Sequence, residues 1–493
     1  MARVLAFVLL ALGGSCSTAW AQDDAPQEEP VDTETPATDA AEVDTVEGVS
    51  TEEELAAMET GREKALEWEV EGYLNNRWRY QNADGENKFI WFLDLAADFV
   101  HKGGDLPGRV RVNGRLVAQS GSDVGDLLYN TWDTFSGAVN GRLYELYVQT
   151  ESKGNVNGRL GRMFYEEGTW MHFDGGRLDL DLKDTSPGLQ AYLVGGVPVR
   201  FGDNNNRNGN WLVGGVFKGQ IETPRTRWRL EYLHISEEFE GINDPVVDPV
   251  SQPVSLPAEQ FDDDWMGATI WHRTEDKRLS LFGRLSTLNW QLNELHLRGR
   301  WRTDDGKWTV LGEWYQMFER LIDVVNDLTP YVPMLGSYEP FGRLTGRVTY
   351  RDPKWIAQAG LSYRTLLDDG IESLFNHEYV NYYFTFTRLD LEQGKLDATF
   401  TATGYSTDQN ETHAVGGSLD YRLQVDLTLS TGLDYSLWKY DYFRDTEHED
   451  VWSFWFRTQW KFKQNTTVEG FVEIDDDRFA TYTTLGLRVT LRF

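Results

Sequence analysis

The chain has 493 residues, of which 40% are hydrophobic and 13% aromatic, and its formal net charge is -32. The mean hydropathy of -0.51 excludes a bundle of apolar membrane helices, and the negative charge disfavours nucleic acid as a partner. A membrane β-barrel is compatible with these values, because only every second residue of its strands faces lipid. Composition therefore leaves two classes, a soluble all-β protein and a barrel in a membrane.

The N-terminus predicts export. Arg3 supplies a positive charge, residues 4–12 an apolar stretch and residues 19–21 an A-x-A cleavage site, so residues 1–21 have the features of a signal peptide. The only cysteine, Cys16, lies inside this segment. The mature chain would then have no thiol for a disulfide or for cysteine catalysis.

Residues 22–50 predict a disordered acidic tail in the periplasm. Residues 23–54 contain thirteen acids and no Lys or Arg, a composition that cannot bury enough apolar surface to offset chain entropy. A capping-box pattern at Thr51 predicts a short helix over residues 51–65. From there an alternation of period two continues to the C-terminus, which predicts one barrel domain over residues 66–493.

The alternating segments have the length of membrane strands. Most are about 10–14 residues long, more than the ~5–6 of soluble strands and enough for a tilted crossing. About 22 such segments can be counted, one pair of which requires a very short turn at residues 288–291. We predict an even strand number between about 18 and 22.

The connections between segments alternate in length. Tight turns lie at residues 185–188, 222–225, 303–306, 352–354 and 392–394, and longer connections at residues 120–140, 237–261, 319–338 and 366–378. If the first strand leaves the periplasm, all these tight turns are periplasmic and all the long loops external, which is the asymmetry of outer-membrane barrels. The prediction is an all-β, antiparallel, up-and-down transmembrane barrel in the outer membrane of a Gram-negative bacterium.

Two features at strand ends agree with a membrane location. The last residue is Phe493, preceded by apolar residues at every second position, which resembles the C-terminal signal of outer-membrane barrels. Outer-membrane lipid and the barrel assembly machinery are therefore expected partners, whereas monomer and trimer are both left open. Aromatic residues near strand ends predict girdles at the membrane surfaces, among them Trp228, Trp265, Trp271, Trp301 and Trp308.

Alternation also predicts which side chains line the lumen. If the apolar residues face lipid, four strands direct arginines inward: Arg109, Arg111 and Arg115; Arg225, Arg227 and Arg229; Arg298, Arg300 and Arg302; and Arg343, Arg347 and Arg351. Guanidinium groups suit carboxylate, phosphate or sulfate, so one hypothesis is a basic path for an anionic or sugar-like solute. The alternative is neutralisation by lumen acids such as Asp179, Asp181, Glu469 and Glu473, without selectivity.

The sequence lacks the usual signs of catalysis. The eight histidines are scattered, and neither H-E-x-x-H nor G-x-S-x-G occurs. We therefore expect no enzymatic activity, no cofactor and no metal.

Residues 144–201 resemble part of the alginate-export family of outer-membrane barrels. The similar elements are the strand 145–148, the G-R-L-G-R motif 158–162, an acidic-aromatic loop through Glu166, Glu167 and Trp170, and strands near 178–182 and 199–201. The resemblance implies a monomeric barrel of 18 strands that passes a uronic-acid polymer through an arginine-rich lumen. The long acidic tail and the higher strand count depart from that family.

These observations favour a passive outer-membrane channel. The main hypothesis is export of an anionic polysaccharide through the arginine-lined lumen, with periplasmic export components as partners. A diffusion porin for small solutes or oligosaccharides is the first alternative. A structural or adhesive surface barrel with a closed lumen is the second.

Overall fold

The computed structural model describes the barrel wall and part of its connections. The predicted signal peptide, acidic tail and short helix, and the loop through Glu166 and Trp170, lie outside the described residues. The described residues are 68–83, 86–101, 108–121, 139–150, 155–165, 171–182, 188–199, 209–221, 225–239, 242–244, 254–256, 259–318, 340–367, 378–407, 410–442, 445–477 and 480–493.

Twenty-two strands form one sheet in which every pair is antiparallel, and two short strands, β10 and β11, form a separate hairpin. The first half of the chain contains β1 (Trp68–Ala83), β2 (Glu86–His101), β3 (Gly108–Gly121), β4 (Val139–Thr150), β5 (Val156–Tyr165), β6 (Met171–Asp181), β7 (Gln190–Val199), β8 (Trp211–Ile221), β9 (Arg225–Phe239), β10 (Ile242–Asp244), β11 (Val254–Leu256) and β12 (Glu259–Arg273). The second half contains β13 (Leu279–Leu288), β14 (Gln291–Arg302), β15 (Trp308–Met317), β16 (Phe341–Asp352), β17 (Trp355–Leu366), β18 (Tyr379–Asp390), the single turn α1 (Leu391–Gly394), β19 (Leu396–Ser406), β20 (Asn410–Gln424), β21 (Leu427–Tyr442), β22 (Asp445–Lys463), β23 (Thr466–Asp476) and β24 (Thr481–Arg492).

Pairing of the first strand with the last closes the sheet into a barrel. β1 pairs with β24 from Tyr73 opposite Arg492 to Ala83 opposite Tyr482. The C-terminal residue extends this seam, because Phe493 and Gly72 exchange backbone hydrogen bonds of 2.8 and 3.1 Å. A Cβ atom at position 72 would lie 2.3 Å from a backbone oxygen of β2, so only glycine fits this crowded point. Closure removes the unpaired edges that an open sheet would expose.

The barrel has 22 strands, the upper limit of the predicted range, and not the 18 implied by the resemblance to the alginate-export family. The predicted short turn between β13 and β14 consists of Asn289 and Trp290, with φ of 50° and 69°. Positive φ at both central residues is the geometry of a two-residue hairpin turn whose twist matches the flanking strands. The predicted long connections, such as those before β4 and β16, all open on the side opposite the tight turns. The side with the tight turns at residues 185–188, 222–225, 303–306, 352–354 and 392–394 is therefore periplasmic, whereas the turn at Asn289 and Trp290 lies on the outer side. We call the strand ends on the periplasmic side the inner ends.

The outward face of the strands is apolar. Leu230, Leu344 and Leu361 are 52–63% exposed, and each alternates with polar residues that face the lumen. Trp301 and Trp308 are also exposed on this face, where a charged side chain at the bilayer midplane would cost about 2–4 kcal/mol. No helix among the described residues is long and apolar enough to cross a membrane.

Two of the predicted girdle residues lie on the other face. On β12 the exposed outward residues are Ala268 and Ile270, so that Trp265 and Trp271 point inward. Trp265 is buried, and Trp271 contacts lumen side chains. The prediction was wrong for these two residues because it used closeness to a strand end and not the parity of the strand.

The inner wall also contains an apolar cluster. Its buried members lie mostly towards the outer ends of neighbouring strands from β4 to β13: Tyr147, Met163, Tyr165, Met171, Phe173, Tyr192, Val194, Leu212, Val216, Leu233, Ile235, Trp265 and Leu288. Phe173, Leu212 and Leu233 are at most 2% exposed, although alternation places them on the lumen side. Lumen water therefore does not cover this part of the wall.

Candidate functional site: the inner wall

Two groups of strands on the inner wall differ in how their charged side chains are paired. We call the inward residues of β1–β4 the paired sector and those of β12–β17 the ring sector. The first group contains one of the four predicted arginine sets and the second contains two, while the set on β9 adjoins the ring sector.

In the paired sector the β3 arginines contact carboxylates on both sides. Arg111 donates from Nη1 to Asp98 and from Nε to Glu145, each at 2.8 Å. Arg109 lies 3.6 Å from the same Asp98, and Asn113 donates to Glu145 at 3.1 Å. The carboxylates are partly buried, which strengthens these charge-assisted hydrogen bonds relative to exposed ones.

A second cluster in the paired sector centres on Asp94. This carboxylate receives Arg115 Nε at 2.5 Å, Arg77 at 3.3 Å and the Asn75 amide at 3.1 Å. All three predicted arginines of β3 therefore have acidic partners. On β3 the charges of the predicted arginines are therefore neutralised by neighbouring carboxylates.

The strands β5–β8 continue the paired pattern with an aromatic addition. Asp179, one of the predicted lumen acids, contacts Arg177 at 2.6 Å and Arg159 at 3.6 Å. The guanidinium of Arg177 lies 3.7 Å from the centre of the Tyr192 ring. Asp179, Arg159 and Tyr192 border a recess of about 190 Å³ that is also lined by Lys218.

The β9 arginines differ along their strand. Arg225 and Arg227 are exposed at the inner end, and no carboxylate among the described residues lies within ion-pair distance of either. Arg225 pairs in register with Arg273, an unfavourable juxtaposition of like charges. Arg229 lies deeper and contacts Glu231 at 3.4 Å.

On β14 the predicted arginines become more exposed towards the inner end. Arg298 is partly buried, with its guanidinium 5.3 Å from the centre of the Phe282 ring. Arg300 and Arg302 are exposed, and Arg302 Nε donates to the backbone oxygen of Gly306 at 3.3 Å. Glu313 lies opposite Arg298 in register, but in the described part of the chain no carboxylate oxygen lies within 4.0 Å of Arg298.

The β16 arginines show a similar gradient. Arg343, at the outer half, contacts Glu313 at 3.4 Å. Arg347 lies at mid-strand opposite Leu311 and Gly360, and Arg351 is exposed at the inner end. Neither Arg347 nor Arg351 has an ion-pair partner among the described residues.

The predicted lumen acids of β23 differ in their partners and burial. Glu469 receives Arg488 at 3.2 Å, and Glu473 is buried. On β21, which is separated from β23 by β22, Asp434 accepts a hydrogen bond from Trp455 Nε1 at 3.1 Å. These acids lie on strands remote from β14 and β16 in the barrel order, so they do not neutralise the ring sector.

The inner wall also carries a run of aromatic rings that was not predicted. From β12 to β16 each strand contributes one ring, in the order Trp271, Phe282, His296, Tyr315 and Phe341. Successive ring centres are 5.7, 4.9, 5.6 and 5.5 Å apart. These distances are within the range of favourable tilted and edge-to-face contacts. We call these five residues the aromatic series.

Arginines flank the aromatic series along its length. In addition to the contact of Arg298 with Phe282, the guanidinium groups of Arg229, Arg343 and Arg364 lie 5.3, 5.5 and 4.0 Å from ring centres of the series. Each distance is short enough for a cation–π interaction.

The aromatic series crosses the wall from one mouth towards the other. Trp271 lies two residues before the inner end of β12, whereas Phe341 is the first residue of β16, at its outer end. The rings from Trp271 to Tyr315 are partly exposed, and Phe341 is buried. The sequence contains the signal for each ring, an aromatic residue at an inward position, but their contacts depend on the register between strands.

Comparison with known proteins gives no family assignment. No protein-family model and no curated protein matches the chain, so the resemblance to the alginate-export family has no support from them. Similar solved structures include the Pseudomonas aeruginosa protein OpdK with vanillate, 11% identical, with a TM-score of 0.37 over 86% of this chain and 98% of that chain. A BenF-like porin from Pseudomonas fluorescens is 11% identical (TM-score 0.39; 86% and 99% covered), and the P pilus usher PapC translocation pore is 10% identical (TM-score 0.43; 86% and 99% covered). Likeness at this level does not extend to function or ligand.

The location follows from the barrel itself. A closed antiparallel sheet of 22 strands with an apolar outward face and a polar inward face is the architecture of bacterial outer-membrane proteins. The protein is an outer-membrane β-barrel.

Proposed function

We propose that the protein is a passive diffusion channel that favours small anionic solutes. The observation that carries this proposal is the set of inward arginines with no carboxylate within ion-pair distance among the described residues, above all Arg347 and also Arg298. Fixed positive charge on a wall of low dielectric raises the local concentration of anions and favours their passage.

The contrast between the sectors supports a preference for anions. Where arginines are paired, as Arg111 is with Asp98 and Glu145, their charge is compensated locally. Where they are not, the charge is available to a solute. Neutralisation therefore accounts for β3 and for Arg343 of β16, but not for Arg298, Arg347 and Arg351, which have no carboxylate within ion-pair distance among the described residues.

Small solutes fit the lumen better than a polymer does. The apolar cluster of β4–β13 is almost wholly buried, so this part of the wall does not line an aqueous path. Export of an anionic polysaccharide, our main hypothesis from the sequence, would need a wide continuous pore. The diffusion channel, which was the first alternative, agrees better with this wall.

The test is the current through the purified protein in planar lipid bilayers. We expect open channels whose reversal potential in a KCl gradient shows anion preference, with small anions passing and uronic-acid oligomers blocking only weakly. Tight block that lengthens with oligomer size would favour the export channel instead. A correctly inserted barrel that carries no current would favour the structural surface barrel.

A further inference from the structure

A preference for anions does not require the aromatic series, since exposed arginines alone would supply it. We infer that the aromatic series and its arginines form a binding site for anions that carry a flat ring, and that this site determines which anions pass most readily. The inference rests on the proposed channel function and adds a ligand class to it.

The arrangement of Arg298 and Phe282 shows how such an anion would bind. A guanidinium stacked near a ring still has N–H groups at its edge, and these can bind a carboxylate in a bidentate manner. The ring of the solute can then lie against Phe282 or the adjacent His296, whose centres are 4.9 Å apart. Charge and ring are thus recognised by neighbouring groups.

A second arginine and aromatic ring, arranged like Arg298 and Phe282, lie next along the aromatic series. Tyr315 lies 5.6 Å from His296, and the guanidinium of Arg343 lies 5.5 Å from the Tyr315 ring. Glu313 contacts both Arg343, at 3.4 Å, and His296, at 3.6 Å, and so orients them. Because Glu313 partly compensates the charge of Arg343, this second ring and guanidinium would bind an anion more weakly than Arg298 and Phe282 do, which allows movement along the wall without a deep energy well.

Packing against lipid does not explain this series. Aromatic pairs that face lipid also occur, for example Phe384 with Phe400, whose ring centres are 6.4 Å apart and whose side chains are exposed. The series from Trp271 to Phe341 lies instead on the polar face and continues over five neighbouring strands. Rings placed on the polar face among arginines are available to a solute in the lumen.

The ligand chemistry is a carboxylate next to a flat ring. Aromatic carboxylates and ring-form sugar acids both have it, since a sugar ring offers a flat C–H face that stacks on an aromatic side chain. The partly exposed rings from Trp271 to Tyr315 define the accessible part of the site, because Phe341 and Arg364 are buried at its outer end.

The experiment measures block of the single-channel chloride current by four probes: benzoate, glucuronate, acetate and glucose. With the wild-type channel we expect benzoate or glucuronate to half-block at concentrations about tenfold lower than acetate does, a difference within the range of one cation–π or stacking contact. Glucose, which has a ring but no charge, should block less than either. Whichever of benzoate and glucuronate half-blocks at the lower concentration shows whether the ligand is an aromatic carboxylate or a sugar acid.

The variant Phe282→Leu/Tyr315→Leu removes two rings while it keeps apolar side chains, and should reduce the preference for ring acids over acetate to about twofold or less. The matched control Phe384→Leu/Phe400→Leu removes two outward rings and should retain the wild-type preference. Heat-modifiable electrophoretic mobility checks that both variants are folded.

The outcomes separate this inference from the proposed function. A wild-type channel that prefers anions but is blocked equally by acetate and the ring acids would overturn the inference and leave the channel proposal intact. Equal block by glucose, or an unchanged ring preference in Phe282→Leu/Tyr315→Leu, would also overturn it. Absence of anion preference in KCl would instead refute the proposed function.

Discussion

The arginines of β3 and those of β16 have similar spacing in the sequence but different surroundings in the barrel. Arg111 lies opposite Asp98 on one side and near Glu145 on the other. Arg347 lies between Leu311 and Gly360, with no acid in register. Alternation along one strand thus fixes the face of an arginine, whereas its charge balance depends on the register of both neighbours.

The difference has a functional consequence. Paired arginines hold neighbouring strands together, because removing one partner leaves partly buried carboxylates without compensation. Arginines without acidic partners contribute little to the stability of the barrel and much to the potential in the lumen. The two sectors should therefore respond to the same substitution in opposite ways.

The largest effect on stability is expected in the paired sector. Arg111→Gln leaves Asp98 and Glu145 without their shared donor, and should lower the free energy of unfolding by about 1–3 kcal/mol. Urea unfolding of the protein in lipid vesicles measures this, with Arg111→Lys as the conservative control. A stability equal to wild type would show that the pairs do not hold the strands.

In the ring sector the same substitution should change selectivity instead. Arg347→Gln should leave the free energy of unfolding within about 0.5 kcal/mol of wild type and should lower anion preference, measured as reversal potential. The matched control is Arg388→Gln, which removes an equal charge from the outward face, where the guanidinium lies 4.0 Å from the Trp355 ring centre. Equal shifts in both variants would mean that net charge, and not the lumen position, sets the preference.

Removing an acid should make the paired sector resemble the ring sector. Asp94→Asn takes away the carboxylate shared by Arg77 and Arg115, so their positive charge becomes available to the lumen. Anion preference should rise, in the direction opposite to that of Arg347→Gln. A fall in anion preference would contradict the assignment of these arginines to the lumen face.

The two sectors should also differ, by a smaller effect, in how much high salt weakens the consequences of losing an arginine. In about 1 M KCl the Debye length is about 3 Å, compared with about 10 Å in 0.1 M. The selectivity difference between wild type and Arg347→Gln should therefore shrink in the higher salt. The destabilisation by Arg111→Gln should persist, because its contacts are 2.8 Å long and partly buried. Equal loss of both effects would mean that Arg111 is as exposed to screening as Arg347.

Much of the fold could be predicted because period-two alternation is a local property. An even strand number between about 18 and 22, a closed barrel, the long outer connections and a very short turn at residues 288–291 followed from segment lengths and turn residues. The apolar cluster was missed because the outer half of β8 is apolar on both faces. Leu212 and Val216 point inward while Val213 and Phe217 point outward, so only Lys218 and Gln220, near the inner end, mark the lumen face of this strand.

The candidate site could be predicted only in part, for the same physical reason. Parity assigned the arginines to strands and faces, but the partners of each arginine come from residues distant in sequence. Phe282 and His296 are directly adjacent rings only because β13 and β14 pair with a particular register. The short turn between these strands does not fix that register alone, because the register shifts between Ser286 and Thr287 and no local pattern marks the shift.

The most direct test of the account is the reversal potential, in a KCl gradient, of the variant Arg298→Gln/Arg300→Gln/Arg347→Gln compared with wild type. If the ring sector supplies the lumen potential, the wild-type channel prefers anions and the variant loses most of that preference. An unchanged reversal potential in a correctly inserted variant would contradict the account, because the anion preference would then originate elsewhere in the barrel.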